Sequence, residues 1–175
     1  REYRSYGIFA VSDVDDAVYL ASREGPNYSE SLWAWEDGAG NCLYSPGEWM
    51  SRNINVVGDQ VFLTESMPDG SSGLCSIPCD GGELQLVFEN LINVTFVGRT
   101  VFAINDGVLL TFPLDRPEER TVIWAVPPEV IYYEYIPFED GVILKLQAPT
   151  PEEYVDVRCL YYCGADGTRK LLDYN

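Results

Sequence analysis

The sequence predicts an all-β chain of four consecutive sheets, each a four-stranded antiparallel blade, and three observations carry that prediction. A Val-aromatic or Val-Ile pair returns at Val18-Tyr19, Val61-Phe62, Val101-Phe102 and Val142-Ile143, and the steps between the valines are 43, 40 and 41 residues. Such a step, about 40 to 45 residues, is the length of one β-propeller blade. Twelve Tyr, seven Phe and four Trp stand among many β-branched neighbours, a composition that favours strands, and no window shows the 3.6-residue apolar stripe of a helix. The third observation is a recurring strand that opens on Leu and runs toward an Asp-containing turn: Leu32-Trp33-Ala34-Trp35-Glu36-Asp37-Gly38, Leu74-Cys75-Ser76-Ile77-Pro78-Cys79-Asp80-Gly81, Leu109-Leu110-Thr111-Phe112-Pro113-Leu114-Asp115 and Leu160-Tyr161-Tyr162-Cys163-Gly164-Ala165-Asp166-Gly167. In three of the four copies the turn is Asp-Gly, which supplies the positive φ that a tight hairpin needs.

The elements follow in order within each repeat: a first strand, a turn, the valine-bearing second strand, the leucine-opening third strand and a short fourth. In the second copy they read as 54–57, a Gly58-Asp59 turn, 61–65, a Pro68-Asp69-Gly70 loop, 74–77, an Asp80-Gly81-Gly82 turn and 84–88. In the third copy Asn105-Asp106-Gly107 makes a minimal hairpin between the second and third strands. At the same place the first copy carries Glu24 to Ser31 and the fourth carries Ala148 to Tyr154, so the insertions are expected on one side of the fold. The blades divide at about 1–50, 51–91, 92–128 and 129–175 of a single propeller domain spanning 1–175, with Pro127-Pro128 as an inter-blade turn. A ring of four blades needs closure, because open sheet edges leave unpaired backbone groups. Arg1 to Tyr6 beside Arg169 to Tyr174 is the expected closing pair, and an incomplete ring would instead self-associate.

Composition narrows the roles. With 28 acidic against 11 basic residues the net charge is −17, so the surface repels phosphate backbones and anionic lipid headgroups and argues against nucleic acid as a partner. No apolar run is long enough to insert in a membrane, and no leader pattern stands at the start. The chain begins at Arg1 rather than Met, which reads as a processed or trimmed piece. Five cysteines, Cys42, Cys75, Cys79, Cys159 and Cys163, form an odd set. Strand residues four apart lie about 13 Å apart, beyond disulfide reach, so Cys75 with Cys79 and Cys159 with Cys163 should not pair.

The third-strand pattern, following Gly58-Asp59-Gln60-Val61-Phe62 in the second repeat, resembles the bacterial propeller repeats grouped with the low-density lipoprotein receptor-related β-propeller of Gram-positive surface proteins. Strands of YWTD and TolB-type propellers share this logic, although the Tyr-Trp-Thr-Asp tetrapeptide itself is absent. The resemblance implies a non-catalytic, extracytoplasmic or cell-surface module, and it carries over no functional residues.

The sequence contains no histidine. Serine-histidine and cysteine-histidine nucleophilic sites are therefore excluded, and the commonest metal ligand is missing. Cys75, Cys79, Cys159 and Cys163 have strand spacing rather than that of a zinc knuckle. Asp13, Asp15 and Asp16 form the tightest acidic group and are the candidate Ca²⁺ ligands, without the glycine and distal glutamate of an EF-hand loop; an acidic hairpin turn is the plainer reading. Glu118-Glu119 and Glu152-Glu153 read as solvated loop charges. Gly38-Ala39-Gly40 and Gly81-Gly82 fall at hairpin turns and open no helix, so they are not phosphate loops.

Aromatic residues are the stronger lead. Tyr28, Trp33, Trp35, Tyr44 and Trp49 crowd the first repeat, and Tyr132, Tyr133, Tyr135, Tyr154, Tyr161 and Tyr162 the last. Alternate strand residues face opposite sides, so about half of them belong to the core. Tyr28, Trp33, Trp35, Trp49 and Tyr154 are the candidates for a ligand platform suited to a sugar or a protein. The expected function is a non-catalytic binding or interaction propeller of a bacterial surface or exported protein, with a protein or glycan ligand and no required cofactor. The alternatives are a carbohydrate hydrolase with two carboxylates roughly 5 to 10 Å apart across a pocket, and a structural or sensor ectodomain of a larger membrane protein.

Overall fold

The computed structural model describes residues 5–11, 18–24, 29–45, 54–66, 72–126, 132–149 and 156–174. Among the described residues, sixteen strands form four sheets, each an antiparallel meander of four consecutive strands. The first sheet holds β1 (Ser5–Val11), β2 (Val18–Glu24), β3 (Ser29–Glu36) and β4 (Ala39–Tyr44). The second holds β5 (Asn55–Val57), β6 (Gln60–Ser66), β7 (Ser72–Pro78) and β8 (Gln85–Glu89). The third is β9 (Leu91–Val97), β10 (Thr100–Asn105), β11 (Val108–Pro113) and β12 (Thr121–Ala125), and the fourth β13 (Tyr132–Phe138), β14 (Gly141–Pro149), β15 (Asp156–Gly164) and β16 (Arg169–Tyr174). The expected all-β class of four-stranded antiparallel blades is what the chain forms, and each repeat valine lies on the second strand of its sheet. The chain divides into two compact units, Arg1–Asn90 with the first two sheets and Leu91–Asn175 with the other two.

Turn chemistry explains the tight ends. Asp37-Gly38 and Asp106-Gly107 both take positive φ, at 50° and 79° and at 48° and 77°, the signature of two-residue type I′ hairpins. Between first and second strands, Gly58 and Gly98 take positive φ at the first turn position, and the fourth sheet puts Glu139 there at φ 52°. A side chain in that region costs about 1 to 2 kcal/mol, partly offset by the entropy a glycine loses on folding. Glu139→Gly is therefore expected to stabilise the fold by about 0.5 to 1 kcal/mol, raising the melting temperature by a few degrees in a thermal scan. An unchanged or lower melting temperature would contradict this.

A second periodic feature appears only in the pairing. In every sheet the register between third and fourth strands slips by one residue just after the repeat leucine, at Leu32/Trp33, Leu74/Cys75, Leu109/Leu110 and Leu160/Tyr161. The extra residue is Leu43, Val87, Ile123 or Leu172, always apolar. A bulge at this point sharpens the twist of the outer strand. A further bulge in β9 is built on Asn93, at φ 49°.

The register also assigns two faces to each sheet. One, here the backward face, carries the repeat valine; the other, the forward face, carries the residue after it. In the first unit the forward face of the first sheet, with Tyr19, Leu32 and Leu43, packs on the backward face of the second, with Val61, Leu63 and Ile77. The second unit repeats this: Phe102, Ile104 and Leu109 of the third sheet meet Val142, Leu144, Leu146 and Cys163 of the fourth. Thr111 is buried in the third sheet and donates its hydroxyl to the Val101 carbonyl at 2.9 Å. Trp124 and Tyr161 meet at 4.9 Å between ring centroids, and the Arg169 guanidinium lies 4.4 Å over Trp124, fastening the outer edges of the third and fourth sheets.

Several expectations are corrected. Glu24 to Ser31 is not one loop: Glu24 ends β2 and pairs with Ser29, and Ser31 pairs with Ser22. Ala148 and Pro149 belong to β14 and pair with Val157 and Asp156. Long hairpins absorb these insertions, with Pro149 at a strand end where its missing N–H is tolerated. Ser5 and Tyr6 pair on one edge with Arg23 and Ser22 of β2; residues 1–4 of the expected closing segment lie outside the described residues. Ala39 and Gly40 belong to β4 rather than to the Asp37-Gly38 turn. All five cysteines are free thiols, with Cys159 and Cys163 both on β15 as their spacing requires.

Candidate functional site

The sheet pairing places Trp33 and Trp35 on one face. Trp33 pairs with Leu20, and Trp35 with Val18, so both indoles stand on the backward face of the first sheet, half-buried. The Trp35 ring lies over Gly40, where a β-carbon would come within 2.8 Å of it. Its Nε1 is buried without a hydrogen-bond partner. Tyr28, Trp49 and Tyr154 lie outside the described residues, as do Asp13, Asp15 and Asp16. Among the described residues no three His, Cys, Asp or Glu side chains gather as metal ligands.

The structure offers a different surface, the forward face of the fourth sheet. Its rows are read from the register: Glu134, Lys145 and Leu160; then Ile136, Ile143, Tyr162 and Lys170; then Phe138, Gly141 and Gly164. Ile136 and Phe138 are each 46% exposed, and Leu172 is 47% exposed. At the hairpin end the Tyr162 ring crosses two glycines. A β-carbon on Gly141 would come 3.0 Å from the ring, and one on Gly164 3.5 Å. Phe138 meets Tyr162 edge-on, with centroids 6.4 Å apart and planes at 84°. This is the preferred arrangement of two quadrupoles.

Carboxylates surround this aromatic shelf. The Tyr162 hydroxyl donates to Asp140 Oδ1 at 2.6 Å. That bond comes first in pushing the phenol up to about 12, with the negative charges of Asp140, Glu139 and Asp166 adding to it. Tyr162 is thus a fixed donor and stays neutral throughout the physiological range. Asp166 accepts from the Thr168 backbone N–H at 2.8 Å, and hydrogen bonds from Thr168 hold its carboxyl below the usual range. At the other end of the face Lys145 Nζ pairs with Glu134 Oε2 at 2.8 Å, a half-exposed ion pair worth up to about 1 kcal/mol. An apolar, aromatic surface edged by fixed negative charge suits a partner that presents apolar groups beside hydrogen-bond donors or cations.

Sequence reasoning grouped Tyr162 with the aromatics of the last repeat without selecting it, and it passed over Phe138, Asp140 and Asp166. The readable signal was the pair of small residues, Gly141 and Gly164, which pairing places opposite each other beside a large ring.

No family model and no curated protein matches the chain. Solved structures do. An acylaminoacyl peptidase in complex with Z-Gly-Gly-Phe-chloromethyl ketone is similar over 98% of this chain and 32% of its own, with a TM-score of 0.66 and 12% identity. The tricorn protease is similar over 95% of this chain and 22% of its own, with a TM-score of 0.53 and 14% identity. This chain therefore spans about a third and about a fifth of those neighbours' lengths. Both neighbours contain propeller domains, and the likeness establishes the fold of this chain as that of β-propeller blades.

Proposed function

We propose that this chain is a non-catalytic binding module, a set of propeller blades from a bacterial surface or exported protein of the receptor-related repeat type, and that it contacts its partner through the forward face of the fourth sheet. The observation that carries the reading is the pair of exposed side chains Ile136 and Phe138 beside the half-buried Tyr162, edged by Asp140 and Asp166. Exposed large apolar groups set among fixed charges mark interaction surfaces. Polypeptide is the first ligand class, since the two structural neighbours are a peptidase and a protease; glycan is the second.

The test is a thermal-shift panel of basic-aromatic peptides and of cell-wall glycans, run on the native chain and on Phe138→Asp. A ligand selective for the folded state at about 100 times its dissociation constant adds roughly 2.7 kcal/mol. The native chain should show a saturable rise with a peptide probe, and Phe138→Asp should lose it. A rise of equal size in both proteins would place the binding surface elsewhere and overturn the reading.

A further inference from the structure

We propose that the Asp37-Gly38 turn is a modification site, where the backbone rearranges to an isoaspartyl linkage while the fold holds back the same chemistry at the other described Asp-Gly steps. The reaction needs only water. The Gly38 backbone nitrogen gives up its proton and bonds to the side-chain carboxyl carbon of Asp37, whose hydroxyl leaves with that proton as water, closing a succinimide. Water then adds to the main-chain carbonyl carbon of Asp37 and breaks its bond to the Gly38 nitrogen. The chain now runs through the former side chain, and the α-carboxyl is free. Glycine is the permissive second residue because it has no β-carbon to crowd the attacking nitrogen.

Asp-Gly occurs at 37–38, 69–70, 80–81, 106–107, 140–141 and 166–167, and Asp69 and Gly70 lie outside the described residues. The described copies share their reacting groups and differ in what holds them. Ring closure needs a free carboxyl, a glycine N–H not engaged elsewhere and a peptide that can rotate. At 80–81 and 166–167 the glycine N–H is already donated, from Gly81 to the Pro78 carbonyl at 2.9 Å and from Gly167 to the Gly164 carbonyl at 3.1 Å. The Asp166 carboxylate is also held by the Thr168 N–H. At 140–141 the carboxylate accepts from the Tyr162 hydroxyl at 2.6 Å, and the Cys163 carbonyl and Tyr162 ring crowd Gly141. At 106–107 the Val126 N–H donates to the Gly107 carbonyl at 2.8 Å and ties the turn down. Asp37 and Gly38 are exposed, and among the described residues no hydrogen bond holds the Asp37 carboxyl or the Gly38 N–H. The left-handed Asp37, at φ 50°, has to swing its peptide toward the carboxyl, and nothing lies within 4 Å of where a Gly38 β-carbon would stand. The added methylene falls in the two-residue turn beside the Glu36–Ala39 pair. Such a turn sets the hairpin register, so conversion should loosen the pairing that lays Trp35 over Gly40.

The experiment is prolonged incubation of the full chain at neutral pH, folded and in urea, with isoaspartate labelled by enzymatic methyl transfer from S-adenosylmethionine and located by peptide mapping. In the folded chain isoaspartate should accumulate at Asp37 roughly tenfold faster than at Asp80, Asp106, Asp140 or Asp166, the factor set by a hydrogen bond that must open first. In urea the steps should convert at similar rates. Amide exchange at Ala39 and Gly40 should quicken in the converted chain. Asp37→Asn keeps a residue suited to this turn and closes the same succinimide with ammonia as the leaving group. The folded variant should therefore release ammonia and yield isoaspartate at position 37 sooner than the native chain. Conversion at Asp37 no faster than at the other described steps overturns the inference. So does the same ranking in urea, which would assign the selectivity to neighbouring side chains, or a folded Asp37→Asn chain that keeps its ammonia while the unfolded one releases it.

Discussion

Truncating the repeat leucine is expected to be severe in three blades and mild in the fourth. Leu32, Leu74 and Leu109 are fully buried, each just before a bulge that fixes the outer strand. Leu→Ala at such sites costs about 2 to 5 kcal/mol, as lost transfer energy plus the cavity that remains. Leu160 stands at the same place in the repeat but is only half-buried, so Leu160→Ala should cost less than about 2 kcal/mol in the dilute chain. Urea denaturation of the four variants measures the difference directly. Four equal losses would mean that the forward face of the fourth sheet is covered like the others, and would remove the ground for treating it as a contact surface.

The second large effect concerns the thiols. Burial pushes Cys75 and Cys163 up to about 11 from 9.0, with the charge of Glu65 reinforcing the shift at Cys75 and Arg169 opposing it at Cys163. Both are fully buried while Cys42 is exposed. An alkylating reagent at pH 8 should label Cys42 on mixing and reach Cys75 and Cys163 only through opening of the fold, about a thousandfold or more slowly. The same shifts govern alkaline stability. Between pH 9 and 11 the unfolded chain has released these protons and the folded chain still holds them. Their contribution to stability is therefore full below pH 9 and is lost as pH rises toward 11, at up to about 1.4 kcal/mol per pH unit for each thiol. The Cys75→Ala, Cys163→Ala double variant should flatten that part of the urea-midpoint profile. An identical slope in the variant would show that other groups control it.

The outline of the fold was legible because its determinants are local. Period-two alternation places Val61 and Leu63 on one face and Phe62 on the other, and Asp37-Gly38 and Asp106-Gly107 turn the chain wherever they occur. The bulge was not legible. In Leu86-Val87-Phe88 or Val122-Ile123-Trp124 an extra apolar residue reads as an ordinary buried run, and only pairing with the third strand shows which residue is unmatched. The candidate site was hidden for a related reason. Tyr161 and Tyr162 are adjacent and alike, yet one packs with Trp124 and Arg169 between sheets and the other crosses Gly141 and Gly164 on the open face. Register alone separates them. Aromatic density pointed instead to Trp33 and Trp35, which share the backward face of the first sheet, and to Tyr28, Trp49 and Tyr154, which the described residues do not include.

Hydroxyl-radical footprinting of the dilute chain, read residue by residue, tests most directly whether the fourth sheet presents an open blade face. The account predicts that Phe138 and Leu172 oxidise as exposed side chains do while Phe102 and Leu109 stay unreacted, and that Phe138 and Leu172 become protected when a partner binds this face. Protection of Phe138 and Leu172 equal to that of Phe102 in the dilute, unliganded chain would contradict it.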